Sequence, residues 1–167
     1  MNDQIVELHS PGLQIILYSP LALRELERGG HYATHFPDGR DLVDYMNDCR
    51  LCALGTRWPT SDHWLHLSST MDHGVIARAS DHVRLGIEVT SGLLCVRSGD
   101  DLFDWPGPCA DEQLVSLDNG PYAVTACMLP YGGEGPVRIY LHFAQTPARP
   151  DLGYDTVPEL YCEEPVF

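Results

Sequence analysis

Four residues near the middle of the chain have the types that bind zinc. Cys49 and Cys52 are separated by two residues, and His63 and His66 follow with the same spacing. Thiolate and imidazole suit zinc, and the order resembles a two-cysteine, two-histidine site. The histidine spacing is too short, because paired histidines in such sites are usually separated by three to five residues. On a strand, His63 and His66 would also point to opposite faces. No metal and no other cofactor is therefore expected, and these four remain candidates only.

Cys49-Arg50-Leu51-Cys52 also has the C-x-x-C form of a redox pair. That form activates a thiol when it opens a helix in a thioredoxin-like unit. Here it ends a short helix and enters a strand, so the stabilising field of a helix N-terminus is missing. In a reducing compartment the six cysteines are expected to be thiols. Eight histidines are present, yet none falls in a Ser–His–Asp or Cys–His signature. His31 and His35 would share a face at helical spacing. Phosphate loop, Rossmann glycines and H-E-x-x-H are missing from the sequence. So is the close H-x-H pair with a following glutamate that cupins use. The sequence reads as a binding protein in preference to an enzyme, with no catalytic residue assigned.

The stronger signal is acidic. The chain has 24 acidic and 10 basic residues, for a formal charge of −14, and every basic residue is arginine. Asp100, Asp101 and Asp104 surround Phe103 and Trp105 in one loop. Carboxylates around a tryptophan anchor suit a hot spot against a basic partner. Asp41, Asp44 and Asp48 recur at three- and four-residue steps and would share a helix face. Such a charge repels nucleic acid, whose affinity comes from Lys and Arg on phosphates. It equally repels an anionic membrane surface. A basic protein would be attracted and steered.

The elements that must position these residues are mostly strands. Val83, Leu85, Ile87 and Val89 alternate with Arg84, Gly86, Glu88 and Thr90. Val137–Phe143 and Tyr122–Met128 alternate likewise, as half-buried strands do. Further strands are expected at 5–9, 13–18, 51–56, 63–68, 75–79, 93–97 and 114–117. Ser91-Gly92 reads as a tight hairpin, and the last three strands as a meander. Two short helices are expected. One spans Pro20–Arg28, with Ser19 as its cap and Gly29-Gly30 as its stop. The other spans Asp41–Cys49. Apolar runs are too short to span a bilayer, and the acidic N-terminus lacks a signal-peptide pattern, so a cytoplasmic location is expected.

The pattern predicts an all-β protein, an antiparallel, jelly-roll-like β-sandwich with one or two short helices. Residues 1–146 would form the sandwich. Residues 147–167, with four prolines and five acids, would trail from it or pack on it. Within 82–144, Val115-Ser116-Leu117, the turn Asp118–Tyr122, the strand Ala123–Pro130 and the final Ile139–Phe143 strand resemble the closing hairpins of the competence-protein J family. These are small β-sandwich inhibitors of a DNA-entry nuclease. The segment also resembles bacterial β-sandwich proteins of unknown role. The resemblance implies architecture and suggests a nuclease-binding role, without transferring any inhibitory residue. The leading expectation is a protein that neutralises a basic nuclease or toxin through Asp100, Asp101, Asp104 and Trp105, then Asp41, Asp44 and Asp48. The alternatives are a metal- or small-ligand-binding jelly-roll protein or enzyme using strand histidines, and a structural or carbohydrate-binding sandwich module displaying Trp58, Trp64 and Trp105.

Overall fold

Alternation in the sequence becomes ten strands among the described residues of the computed structural model, which are 3–11, 14–26, 32–37, 39–56, 62–99, 109–131 and 134–160. In chain order they are β1 (Gln4–His9), β2 (Gln14–Tyr18), β3 (Leu51–Thr56), β4 (Asp62–Ser68) and β5 (Asp81–Val89). They continue with β6 (Leu93–Ser98), β7 (Leu114–Ser116), β8 (Gly120–Met128), β9 (Val137–Gln145) and β10 (Glu159–Leu160). The helices are α1 (Tyr32–His35), α2 (Arg40–Asn47) and α3 (His73–Arg78). None of them is long and apolar enough to cross a membrane.

The strands form two five-stranded sheets, β1-β4-β9-β8-β5 and β10-β3-β2-β6-β7. Period-two patterning gives each sheet an apolar inner face. Val6, Leu65, Ile139, Val124 and Ile87 come from the first sheet, and Ile15, Leu17, Leu54, Leu94 and Val96 from the second. All are buried in one core cluster. The expected sandwich is present. Most pairings are antiparallel, but β4–β9 and β10–β3 are parallel.

The second sheet is buried on both faces. Tyr18 pairs with Leu51 on one side and Cys95 on the other, so these three point outward together. They are buried nonetheless. The chain between β2 and β3 supplies cover: α2 packs on β3 and buries Leu42, Val43 and Met46, and Leu23 and Phe36 are also buried. This explains why all six residues of β3 are buried and why the segment lacks clean alternation.

Four expectations are corrected. Residues 75–79 are not a strand; the segment forms α3. Asp72 Oδ1 accepts the Gly74 and Val75 N–H groups at 2.8 and 3.1 Å, a cap worth about 1 kcal/mol. The described part of Pro20–Arg28 is a run of turns with i to i+3 bonds, Ala22 N–H to Ser19 O and Leu26 N–H to Leu23 O. Ser19 cannot cap a helix there because its hydroxyl is engaged elsewhere. It accepts the Thr90 N–H and donates to Leu93 O, each at 3.1 Å. Ser91-Gly92 is not a hairpin, because β5 and β6 lie in different sheets. Nor do the last three strands form a meander: β7 pairs with β6, leaving β8–β9 as the hairpin. The two sheet-to-sheet crossings hold each other. Gly92 N–H donates to Asn119 Oδ1 at 2.7 Å, and Leu117 N–H to Gly92 O at 3.1 Å.

One close approach ties the sheets together at an edge. A Cβ on Gly86 of β5 would lie 2.9 Å from Cys49 Sγ, 3.3 Å from Leu152 Cδ1 and 3.4 Å from Pro150 Cγ. Gly86→Val should therefore lower unfolding stability by about 1–3 kcal/mol through overpacking, as measured by urea denaturation. A variant as stable as the parent would show that this contact has slack.

Candidate functional site

α2 turns its apolar residues inward, which leaves Asp41, Asp44 and Asp48 exposed. Asp41 sits in the first turn, where the helix dipole favours a carboxylate. Asp48 is the residue at the opposite end, where the dipole disfavours one, and Asp44 precedes it by four residues. Among the described residues none of the three forms an ion pair. The helix then stops on a Schellman motif. Cys49 adopts a left-handed φ of 55°, its N–H reaches Met46 O, and the Arg50 N–H reaches Tyr45 O, both at 2.9 Å.

The stretch after β9 docks beside this helix end. Asn47 Nδ2 donates to Tyr154 O at 3.1 Å, and Tyr154 N–H donates back to Asn47 Oδ1 at 2.7 Å. The Tyr154 hydroxyl donates to Arg84 O at 2.7 Å, Gly55 N–H to Pro158 O at 2.9 Å, and Arg149 pairs with Glu88. This strap brings exposed Asp151 and Asp155 to the same flank as α2. The strap acids were missed in the sequence reading, which had only composition to go on. The other expected acidic surface, Asp100, Asp101 and Asp104 with Trp105, lies outside the described residues, as do Trp58 and His31.

The four candidate metal ligands do not converge. Cys49 closes the helix cap, and its thiol contacts Pro150 O at 3.6 Å. Cys52 points into the core and donates to Gly86 O at 3.2 Å. Burial pushes both thiols above the ordinary cysteine range, so they are inert as nucleophiles. His63 faces inward with Nε2 3.1 Å from Thr56 Oγ1, while His66 lies on the opposite face of β4 and stacks on Tyr140, centroids 4.5 Å apart. Among the described residues no three His, Cys, Asp or Glu side chains gather at ligand geometry.

A second surface emerges from the polar phase of the strands. Parallel pairing of β4 with β9 aligns Trp64 with Arg138, His66 with Tyr140, and Ser68 with His142. Arg138 sits 5.7 Å from the Trp64 ring. The segment carrying α3 borders the His66, Ser68, Tyr140 and His142 end of this face and leaves a groove of about 740 Å³, lined also by Thr125, Cys127 and Val75. Alternation alone could have placed these residues on one strand face, but β4–β9 adjacency is not readable from a single sequence.

No protein-family model matches the chain, and no curated protein matches it. Among solved structures it is similar to ComJ from Bacillus subtilis, described as an inhibitor of the DNA degrading activity of NucA. The TM-score is 0.53 at 11% identity, covering 87% of this chain and 96% of ComJ. It is also similar to the product of crocagin biosynthetic gene J, with a TM-score of 0.49 at 15% identity, covering 85% of this chain and 98% of that one. At 11% identity the likeness to ComJ is one of fold. It extends the resemblance read from residues 82–144 to the architecture of most of the chain.

Burial and then the Arg138 charge hold His66 below the usual histidine pKa of 6.5. The folded state thus binds fewer protons than the unfolded state just below pH 6.5. Stability should fall as pH drops from 6.5 through the lowered His66 pKa. Histidine NMR titration should give His66 a midpoint below 6.5, and His66→Gln should lessen the acid-side loss. A midpoint at or above 6.5 would contradict this.

Proposed function

We propose that this protein is a non-enzymatic, acidic inhibitor that binds and neutralises a basic partner protein of the nuclease class. The observation that carries the reading is the exposed row Asp41, Asp44 and Asp48 on α2, which forms no ion pair among the described residues, joined on its flank by Asp151 and Asp155 of the strap. A carboxylate at a helix C-terminal end and a like-charged neighbour four residues away both work against the helix. A basic surface facing this flank offsets both. The fold shared with ComJ, itself a nuclease inhibitor, supports the same reading. So does the −14 formal charge, which attracts a basic protein and repels that protein's nucleic-acid substrate.

The mechanism begins with long-range attraction. The acidic flank raises the encounter rate and orients the partner. Desolvated contact then fixes the complex, and Trp105 within Asp100, Asp101 and Asp104 is the anchor that this reading assigns. Occlusion of the partner's basic, phosphate-binding surface accounts for inhibition without any bond being made or broken. His63 and His66 face opposite ways on β4, so this pair offers no shared site to the metal-dependent alternative among the described residues.

The test is capture from native lysate with tagged protein at low and high salt, followed by mass-spectrometric identification. One basic nuclease or toxin should be captured and should weaken with salt. Asp41→Asn, Asp44→Asn and Asp48→Asn together should reduce its affinity about tenfold or more, on the scale of 1.4 kcal/mol per decade, and flatten the salt dependence. Unchanged affinity in the triple variant would remove α2 from the interface. The same outcome for Asp100→Asn, Asp101→Asn and Asp104→Asn would remove the loop.

A further inference from the structure

We infer that the groove over the first sheet binds a small organic amine that carries an apolar ring. Strand register sets two rows of side chains on its floor. In the first row Ile5 pairs with His66, His66 with Tyr140, and Tyr140 with Cys127. In the second row Ser68 pairs with His142, and His142 with Thr125. Both rows are in the outward phase of their strands, since the residues between them, such as Leu67 and Leu141, are buried in the core. All seven line the groove, and the segment 70–76 with the start of α3 forms its wall.

The first row suits a ring. The His66 and Tyr140 rings lie within 12° of parallel with centroids 4.5 Å apart. Ile5 stands 54% exposed at the end of the row, and Met71, Val75 and Ile76 face it from the wall segment. The second row is polar. The Ser68 hydroxyl donates to Asp3 Oδ1 at 2.7 Å and accepts the Thr70 N–H at 3.0 Å. The volume of about 740 Å³ is that of a small-molecule site, which spans about 300–1,000 Å³. His66 Nε2 is buried without a hydrogen-bond partner among the described residues, a cost that a ligand can relieve.

Charge decides the rest of the ligand. The chain has no lysine, and among the described residues lining the groove there is no arginine. The Gly74 and Val75 N–H groups that open α3 are already bound by Asp72 Oδ1. A phosphate or carboxylate therefore finds neither a guanidinium nor a free helix end. Asp3 and Asp72 both line the groove, and each uses only Oδ1 in these bonds, which leaves Oδ2 for an ammonium. Burial and the Arg138 charge lower the His66 pKa, so its ring stays neutral at pH 7.5 and does not repel a cation. None of the α2 or strap residues lines the groove, so the site is independent of the acidic flank.

The test is an NMR titration of the isotope-labelled full chain at pH 7.5 with three probes. 2-Phenylethylamine should give saturable amide shifts at 66–68, 72–76, 125–127 and 140–142. 3-Phenylpropionate keeps the ring but reverses the charge, and n-butylamine keeps the charge without the ring. Each should bind about tenfold or more weakly. Asp3→Asn combined with Asp72→Asn should weaken 2-phenylethylamine about tenfold, while asparagine retains the acceptor for Ser68 and the cap of α3. Equal binding of either control probe, shifts confined to 40–48 and 150–158, or no saturable shift would overturn the proposal. The ranking of the three probes on the parent protein decides this even if the double variant fails to fold.

Discussion

A missing side chain at residue 86 sets the arrangement at one edge of the sandwich. Gly86 lets Cys49, Pro150 and Leu152 approach β5 closely, and its carbonyl accepts the Cys52 thiol from the other sheet. Glu88 N–H then reaches Cys49 O at 2.7 Å. One point therefore joins the first sheet, the second sheet, the end of α2 and the C-terminal strap. The Arg149–Glu88 pair is largely exposed, and such pairs contribute about 0–1 kcal/mol. Overpacking costs about 1–3 kcal/mol, so a side chain at residue 86 would cost more than the loss of that pair.

Much of the fold was legible because one face of each strand is dry. Alternation over 83–89 and 137–143 located β5 and β9 to within two residues. The Asp41–Cys49 helix was legible from the same logic at a period of 3.6. The failures came where a tertiary partner overrode a local signal. Ser19 resembles a helix cap in sequence, but its hydroxyl serves Thr90 and Leu93 across the crossing. Val75 and Ile76 resemble a strand, but Asp72 caps a helix instead. Ser91-Gly92 has the composition of a hairpin turn, yet it carries the chain from sheet to sheet. No local pattern distinguishes these outcomes.

The candidate site was legible in type but not in extent. Aspartates at steps of three and four marked the exposed face of α2. The strap that adds Asp151 and Asp155 depends on the exchange between Asn47 and Tyr154, 107 residues apart. His63 and His66 were correctly read as lying on opposite faces of a strand, since period two permits nothing else. The groove over the first sheet needed the parallel β4–β9 register, which no short-range signal carries. The molecule thus has two distinct faces: an acidic flank formed by α2 and the strap, and a histidine- and aromatic-lined face on β4 and β9.

The proposed partner interface is the acidic flank, not the groove face. Hydrogen exchange of the protein with and without its captured partner tests this most directly. Protection is predicted across residues 40–48 and 150–158 and in 100–108, with exchange at 64–68 and 138–142 unchanged. Protection confined to 64–68 and 138–142, with the flank unaffected, would contradict the account and place recognition on the groove face.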